Sequence, residues 1–190
     1  MKLFYRIFSG FYKLAARKMC KECSHFIKKG SKILDLGCGS GIVADEFKIF
    51  FGAQIAGVDI IDKRVVKIPF TLYGGKNLPF VDNYFDTILI SYVLHHCDDP
   101  VRVLAEAKRV AKDKIIIYED LPENIFSKLV CKLHGKSFAL FFRNDKESCN
   151  FKTAGRWKEI FETLGLKLIF EKRVWPLPMR KLKMFVLEKE

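Results

Sequence analysis

The sequence predicts one α/β domain: a mostly parallel sheet with helices on both faces. Three observations carry that reading. Short apolar runs near 32–36, 54–59, 65–72, 87–91 and 115–118 alternate with segments of helical periodicity, and strands that alternate with helices pair in parallel. The 190 residues, 49% of them hydrophobic, fill one packed core and are too few for two. A cluster of glycines stands where the first strand gives way to a helix, a position that lets backbone approach a ligand closely.

Taken in order, residues 1–30 form an N-terminal segment and 31–190 the main domain. Leu3, Phe4, Ile7, Phe8, Phe11, Tyr12, Leu14, Ala15 and Met19 recur at helical spacing opposite a basic face, which predicts an amphipathic helix. Gly10 costs that helix about 1 kcal/mol relative to alanine and is where it would break in two. Such a helix packs on its own domain, covers an active site or touches a membrane surface. The strand at 32–36 leads through the glycines to a helix at 42–51, then strands at 54–59, within 65–72 and at 87–91, the last after the turn-rich Val81, Asp82 and Asn83. A helix at 100–111 and a strand at 115–118 follow. Within an insertion at about 121–152, Pro122 starts a helix through Ile125, Phe126, Leu129, Val130 and Leu133 that Gly135 stops, and 136–150 is irregular. Thr153 then caps a helix carrying Trp157, Ile160, Phe161 and Leu164, which Gly165 ends. Strands at 166–171 and 183–189 close the chain, joined by a hairpin-like return at 175–179.

Composition narrows the function. No apolar run approaches the roughly 20 residues of a membrane-spanning helix. The opening MKLFYRIFSGFYKLAARK has no continuous apolar stretch and no small-residue cleavage site, so a cytoplasmic protein without a secretory signal is expected. Six scattered cysteines suit reduced thiols and no structural disulfide. A net charge of +12 favours anionic partners: nucleic acid, acidic headgroups or an anionic substrate. The excess gathers near the start, where Lys2, Arg6, Lys13, Arg17, Lys18, Lys21, Lys28 and Lys29 face only Glu22.

The segment that carries chemistry is ILDLGCGSGIVADEF, with Asp35, Gly37, Gly39 and Gly41 at the strand-to-helix turn. Asp59 ends the second strand in AGVDI, where a carboxylate can accept two hydrogen bonds from a ribose diol. A dinucleotide enzyme uses G-x-G-x-x-G to cradle a pyrophosphate, whereas this loop is G-x-G-x-G preceded by Asp35. The Walker pattern fails at Gly75-Lys76, which lacks the upstream glycine and the following hydroxyl. Cys20 and Cys23, with His25 nearby, supply only half of a zinc site, so no metal is expected. Cys38 and Cys97 read as small packing residues.

With LPFVDNYFDTILISYVLHH at 78–96 as a third motif, the chain from about Ser31 onward resembles the class I S-adenosylmethionine-dependent methyltransferases, in particular the group with quinone-ring and other small-molecule enzymes. The resemblance implies a Rossmann-like, mostly parallel seven-stranded sheet with an antiparallel last strand. It implies S-adenosyl-L-methionine as cofactor, with Asp35, Gly37, Cys38, Gly39 and Gly41 along its methionine part, Asp59 on the ribose, Ile60 on the adenine, and Ser91 also at the site. Where such families often carry an aspartate for the adenine amino group, this chain has Gly74, which leaves backbone near Gly74 and Gly75 as acceptors. Only 60–67 separate the second and third strands, so the usual helix there is very short or absent. A tight turn at Ala111, Lys112 and Asp113 replaces the family's lysine-proline-glycine-glycine.

Methyl transfer from a sulfonium is an in-line displacement that needs positioning and no metal. An acceptor that must lose a proton needs a base, for which His95, His96 and Glu119 are the candidates, with Asp120 on the same rim. The bland alternative for these residues is structural, as helix-start and capping groups. Phenylalanines concentrated in the first helix and at 125–142 suggest an apolar pocket and hence a lipid-like, quinone-like or aromatic small-molecule acceptor. RNA is the rival acceptor, on the basic charge. A partner-binding subunit without catalysis is the reading from another class.

Overall fold

The computed structural model describes residues 2–123, 127–129, 131, 133, 150–174 and 182–189. Seven strands form one sheet: β1 (Lys32–Leu36), β2 (Gln54–Asp59), β3 (Phe70–Leu72), β4 (Phe85–Ser91), β5 (Ala111–Asp120), β6 (Leu166–Val174) and β7 (Leu182–Lys189), in the order β3-β2-β1-β4-β5-β7-β6. Pairs among β1 to β5 are parallel, and β7 runs antiparallel between β5 and β6. The parallel strands therefore all end at one rim, which Leu36, Asp59, Ser91 and Tyr118 reach together.

Both faces are covered, as near-continuous apolar strands require. Because successive side chains point to opposite faces, Leu34, Ile88, Ile90, Ile115 and Ile117 pack one way and Ile33, Leu89 and Ile116 the other. The first set meets Leu104 and Ala107 of α4 (Pro100–Val110) and Trp157 and Phe161 of α5 (Ala154–Thr163). The second meets Ala44, Phe47 and Phe51 of α3 (Ile42–Phe51) and Met19, Cys20 and Cys23 of α2 (Ser9–Cys23). Caps fix the helix ends. The Asp99 side chain accepts from the Arg102 amide at 3.0 Å ahead of Pro100, and Thr153 accepts from the Arg156 amide. Gly165, at positive φ, ends α5 as expected, and Gly52, also at positive φ, ends α3.

Three expectations need correction. The N-terminal helix bends at Phe8, between α1 (Lys2–Ile7) and α2, and not at Gly10. The ladder nearly continues across the bend, since Phe8 donates to the Phe4 carbonyl and Tyr12 to that of Phe8, while Gly10 sits in open space inside α2 and strains nothing. No tight turn separates α4 from β5: strand begins at Ala111, and one surplus residue is absorbed as a bulge where Phe85 pairs Ala111 but Thr87 pairs Lys114. Strand β5 is thus longer at both ends than the expected 115–118. As expected, no helix joins β2 to β3, and β3 is three residues long. Residues 127–129, 131 and 133 are helical, while the stop at Gly135, the irregular stretch at 136–149 and the return at 175–179 lie outside the described residues. Among the described residues all cysteines are free thiols, and no helix is long and apolar enough to cross a membrane.

Candidate functional site

The rim formed by β1 and β2 is shaped by glycines. Gly37, Gly39 and Gly41 have φ of 76, 51 and 75°, torsions that L side chains rarely adopt. A Cβ on Gly37 would lie 2.5 Å from Val93 Cγ2, so only glycine lets the loop pass under the segment after β4. The amides of Gly37 and Cys38 both donate to the Val58 carbonyl, at 2.8 and 3.0 Å, tying the loop to β2. Asp59 completes the tie: one carboxylate oxygen accepts the Gly39 amide at 2.8 Å and the other the Ile60 amide at 2.7 Å. The glycine loop and the carboxylate of the second strand, 20 residues apart, are in direct contact.

The segment just before the third motif reaches the site through backbone. Tyr73 donates its amide to the Asp59 carbonyl at 3.1 Å, which brings Gly74 and Gly75 beside Ile60, with a Cβ on Gly75 3.4 Å from Ile60 Cγ2. Ile60 is 58% exposed, an apolar side chain presented on the surface next to a carboxylate. Gly39 and Gly74 face open space.

Asp35 is the unusual group. It is buried, its Oδ2 has no hydrogen-bond partner, and burial first, then the nearby charge of Asp59, pushes its pKa up to about 7 against a backbone bond from Ala44. Ser91 ends β4 on the same sheet face, since Asp35 pairs with Leu89 two residues earlier, and its buried hydroxyl oxygen also lacks a partner. Orphaned buried polar atoms at the base of the glycine loop are what a polar, cationic ligand would satisfy. The residues present therefore fit S-adenosylmethionine, which carries an ammonium and a sulfonium.

Farther along the rim, the 3-10 turn Leu94–His96 is held from below. Glu119 accepts the Leu94 amide at 2.8 Å with one oxygen and meets His95 Nδ1 at 2.6 Å with the other, and both side chains are fully buried. Asn150 donates its amide to the His95 carbonyl at 2.7 Å and its side chain to that of Cys97, and Phe151 stacks on the His95 ring. His96 is the member of the trio with solvent access. Asp120 is buried.

The thiols are quenched. Burial pushes Cys20, Cys23 and Cys97 up to about 12 and raises Cys38 further, so none is a ready thiolate. Cys23 Sγ lies 3.2 Å from the Tyr118 hydroxyl. Among the described residues no group of three or more His, Cys, Asp or Glu is placed to hold a metal.

Sequence reasoning missed several residues that shape the site. Val93 packs over Gly37. Arg64 stands in for the missing helix: it donates to the Ile68 carbonyl at 2.7 Å, pairs with Asp62 and lies over the Phe70 ring. Tyr5 of α1 is half-buried near Asp59, whose charge, after burial and Tyr12, raises its pKa. Arg109 donates to the Leu78 and Phe80 carbonyls and pairs with Glu106 and Asp82, pinning the LPF segment to α4. No local pattern marks these contacts; those of Val93, Tyr5 and Arg109 with the LPF segment join distant parts of the chain.

This strand order, with the glycine loop bonded to the carboxylate of β2, defines a class I S-adenosylmethionine-dependent methyltransferase, and the chain belongs to that family. Residues 34–118 match a methyltransferase domain family. Over 164 residues the chain is 30% identical to the demethylmenaquinone methyltransferase of Thermotoga maritima, a match covering 74% of this chain and 72% of that protein. It is 34% identical over 140 residues to an uncharacterized protein of Methanocaldococcus jannaschii, where the match covers 72% of this chain and 64% of the relative, less than two thirds of its length. Among solved structures, the magnesium protoporphyrin IX methyltransferase of Synechocystis, which holds SAH, shares the fold with a TM-score of 0.71 at 14% identity, covering 94% of this chain and 84% of that one.

Proposed function

We propose that this chain methylates an apolar or aromatic small-molecule acceptor from S-adenosylmethionine. The observation that carries the reading is the 2.8 Å bond from the Gly39 amide to Asp59, which sets that carboxylate against the glycine loop, near the orphaned Asp35 carboxyl. Asp59 would hold the ribose hydroxyls, Asp35 with Gly37, Cys38, Gly39 and Gly41 the methionine part, and Ile60 the adenine face. Backbone at Gly74 and Gly75 would take the adenine edge, and Ser91 would complete the polar contacts. When bound, the cofactor supplies a methyl group activated on a sulfonium.

The residues of the chain do the rest by binding and orienting. Intramolecular positioning of this kind reaches effective molarities of about 10⁵ M or more, so no metal is needed. Where the acceptor must lose a proton, His96 is the accessible base. His95 and Glu119 are buried together and position the turn that carries it, with Glu119 bonded to both the Leu94 amide and the His95 ring. The demethylmenaquinone enzyme of Thermotoga supports an apolar acceptor by likeness. The net charge of +12 favours the rival, RNA.

Incubation of the protein with methyl-labelled cofactor and a cell extract, followed by solvent partition, tests the reading. Label is expected in the organic phase, in a small molecule. Label in RNA, with binding that falls steeply as salt rises, overturns the small-molecule reading.

A further inference from the structure

The N-terminal helices leave a face that the fold does not use. Ala16, Met19, Cys20 and Cys23 of α2 are buried against the domain, and Tyr5 and Tyr12 are half-buried. Leu3, Phe4, Ile7, Phe8, Phe11 and Leu14 point the other way and are exposed, Leu3 by 70%, Ile7 by 66%, Phe11 by 63% and Leu14 by 69%. Their spacing of three and four residues keeps them on one side, and the near-continuous ladder across Phe8 makes that side a single stripe. Six large apolar side chains grouped in this way are more than the scattered exposure of an ordinary surface.

Charge identifies what covers the stripe. Lys2, Arg6, Arg17, Lys18 and Lys21 are exposed and Lys13 half-exposed along the same two helices, where the one acidic residue is the half-buried Glu22. Arg17 spends part of its charge on Glu46, at 2.9 Å. A second copy of the chain would bring like charges together. RNA would use the cations but gain little from the aliphatic tips of Leu3, Ile7 and Leu14. An acidic lipid surface uses both: apolar tips enter the boundary between headgroups and acyl chains, and the basic side chains reach the headgroups.

We propose that α1 and the first half of α2 lie flat on an anionic lipid bilayer. The start of α1 adjoins the candidate site, since Lys2 lines one hollow with Asp62, Arg64 and Val66, the last two of which lie against Gly41 of the glycine loop, and Tyr5 is near enough to Asp59 to feel its charge. The docked molecule would then hold its cofactor cradle close to the bilayer surface, where an acceptor dissolved in lipid is concentrated. That last consequence rests on the proposed apolar acceptor; the docking itself does not.

Sedimentation of the full chain with vesicles of phosphatidylcholine, with and without phosphatidylglycerol, tests the docking without any methyl transfer. The protein is expected to pellet with the anionic vesicles and to be released by salt. Replacing Ile7 and Phe11 together by Asp should weaken the partition by about tenfold or more, with cofactor binding and melting temperature unchanged. Replacing Lys13 by Gln should weaken it about fivefold, a second variant that leaves the stripe intact. Equal pelleting with neutral and anionic vesicles, no pelleting with either, or full binding by the Ile7→Asp/Phe11→Asp protein overturns the proposal. So does sedimentation velocity showing a dimer that the double variant disperses, or RNA that binds the double variant and the wild type alike while vesicles bind neither. A labelled acceptor that proves water-soluble would sink the acceptor reading and leave the vesicle result standing.

Discussion

Replacement of Asp35 by Asn isolates the electrostatics of the cradle. The carboxyl is buried with one oxygen unpartnered, and its pKa stands at about 7 against an ordinary 3.8. Well below pH 3.8 the acid is protonated in both the folded and the unfolded chain, and it imposes no penalty. As pH rises the unfolded chain ionises first, while the folded protein resists until pH 7, so folding stability falls across that window and levels off above it. The difference of about three pKa units corresponds to roughly 4 kcal/mol lost between pH 4 and pH 8. Asn keeps an acceptor for the Ala44 amide but cannot ionise, so its stability should lack this decline. Urea unfolding of both proteins without cofactor, from pH 4 to 8, measures the difference. Bound S-adenosylmethionine, a cation, favours the ionised form, so its affinity for the wild type should climb toward pH 7 and then flatten, and the Asn variant should show no such climb. Stability profiles that run parallel for the two proteins would refute the reasoning.

Other changes probe separate parts of the site. Asp59→Ala removes a charge-assisted acceptor and should weaken cofactor binding by about 1.5 to 3 kcal/mol in calorimetry; an unchanged dissociation constant removes Asp59 from the ribose. Gly37→Ala sets an L side chain at φ 76° and 2.5 Å from Val93 Cγ2, so thermal or urea unfolding should show a loss of about 2 to 4 kcal/mol. Glu119→Gln keeps an acceptor for the Leu94 amide but offers a donor to His95 Nδ1, and should lower kcat about tenfold or more with an altered pH profile and an intact cofactor affinity. A stability loss with kcat untouched would make that pair purely structural.

The sequence made β1, β2 and α3 legible to the residue, because each is bounded by sharp local signals: Gly30 and Ser31 before β1, the glycine loop, Gly52 after α3, and Asp59. The meeting of loop and carboxylate was legible too, since parallel pairing of Asp35 with Gly57 leaves β2's last residues beside the loop. What escaped has a common cause. The bulge at 112–113 is set by how β5 pairs with β4, and the bend falls at Phe8, an ordinary helix residue, so neither has a local signature. Gly10 misled because an exposed glycine near a helix start costs little once tertiary packing holds the rest. The burial of His95 and Glu119 was equally invisible, for two polar residues 24 positions apart look like rim groups until their 2.6 Å contact is seen.

The two outer strands of the sheet have a bearing on how the protein behaves when concentrated. One border, β3, offers three residues of open ladder, with Arg64 lying across Phe70. The other, β6, carries Lys167, Glu171, Lys172 and Arg173 exposed along its length, with Glu171 bridged to Lys158 and Lys183. A stub and a charged fence are both poor templates for a strand from another molecule. Despite its many phenylalanines, the fold resists growing into fibres from either side.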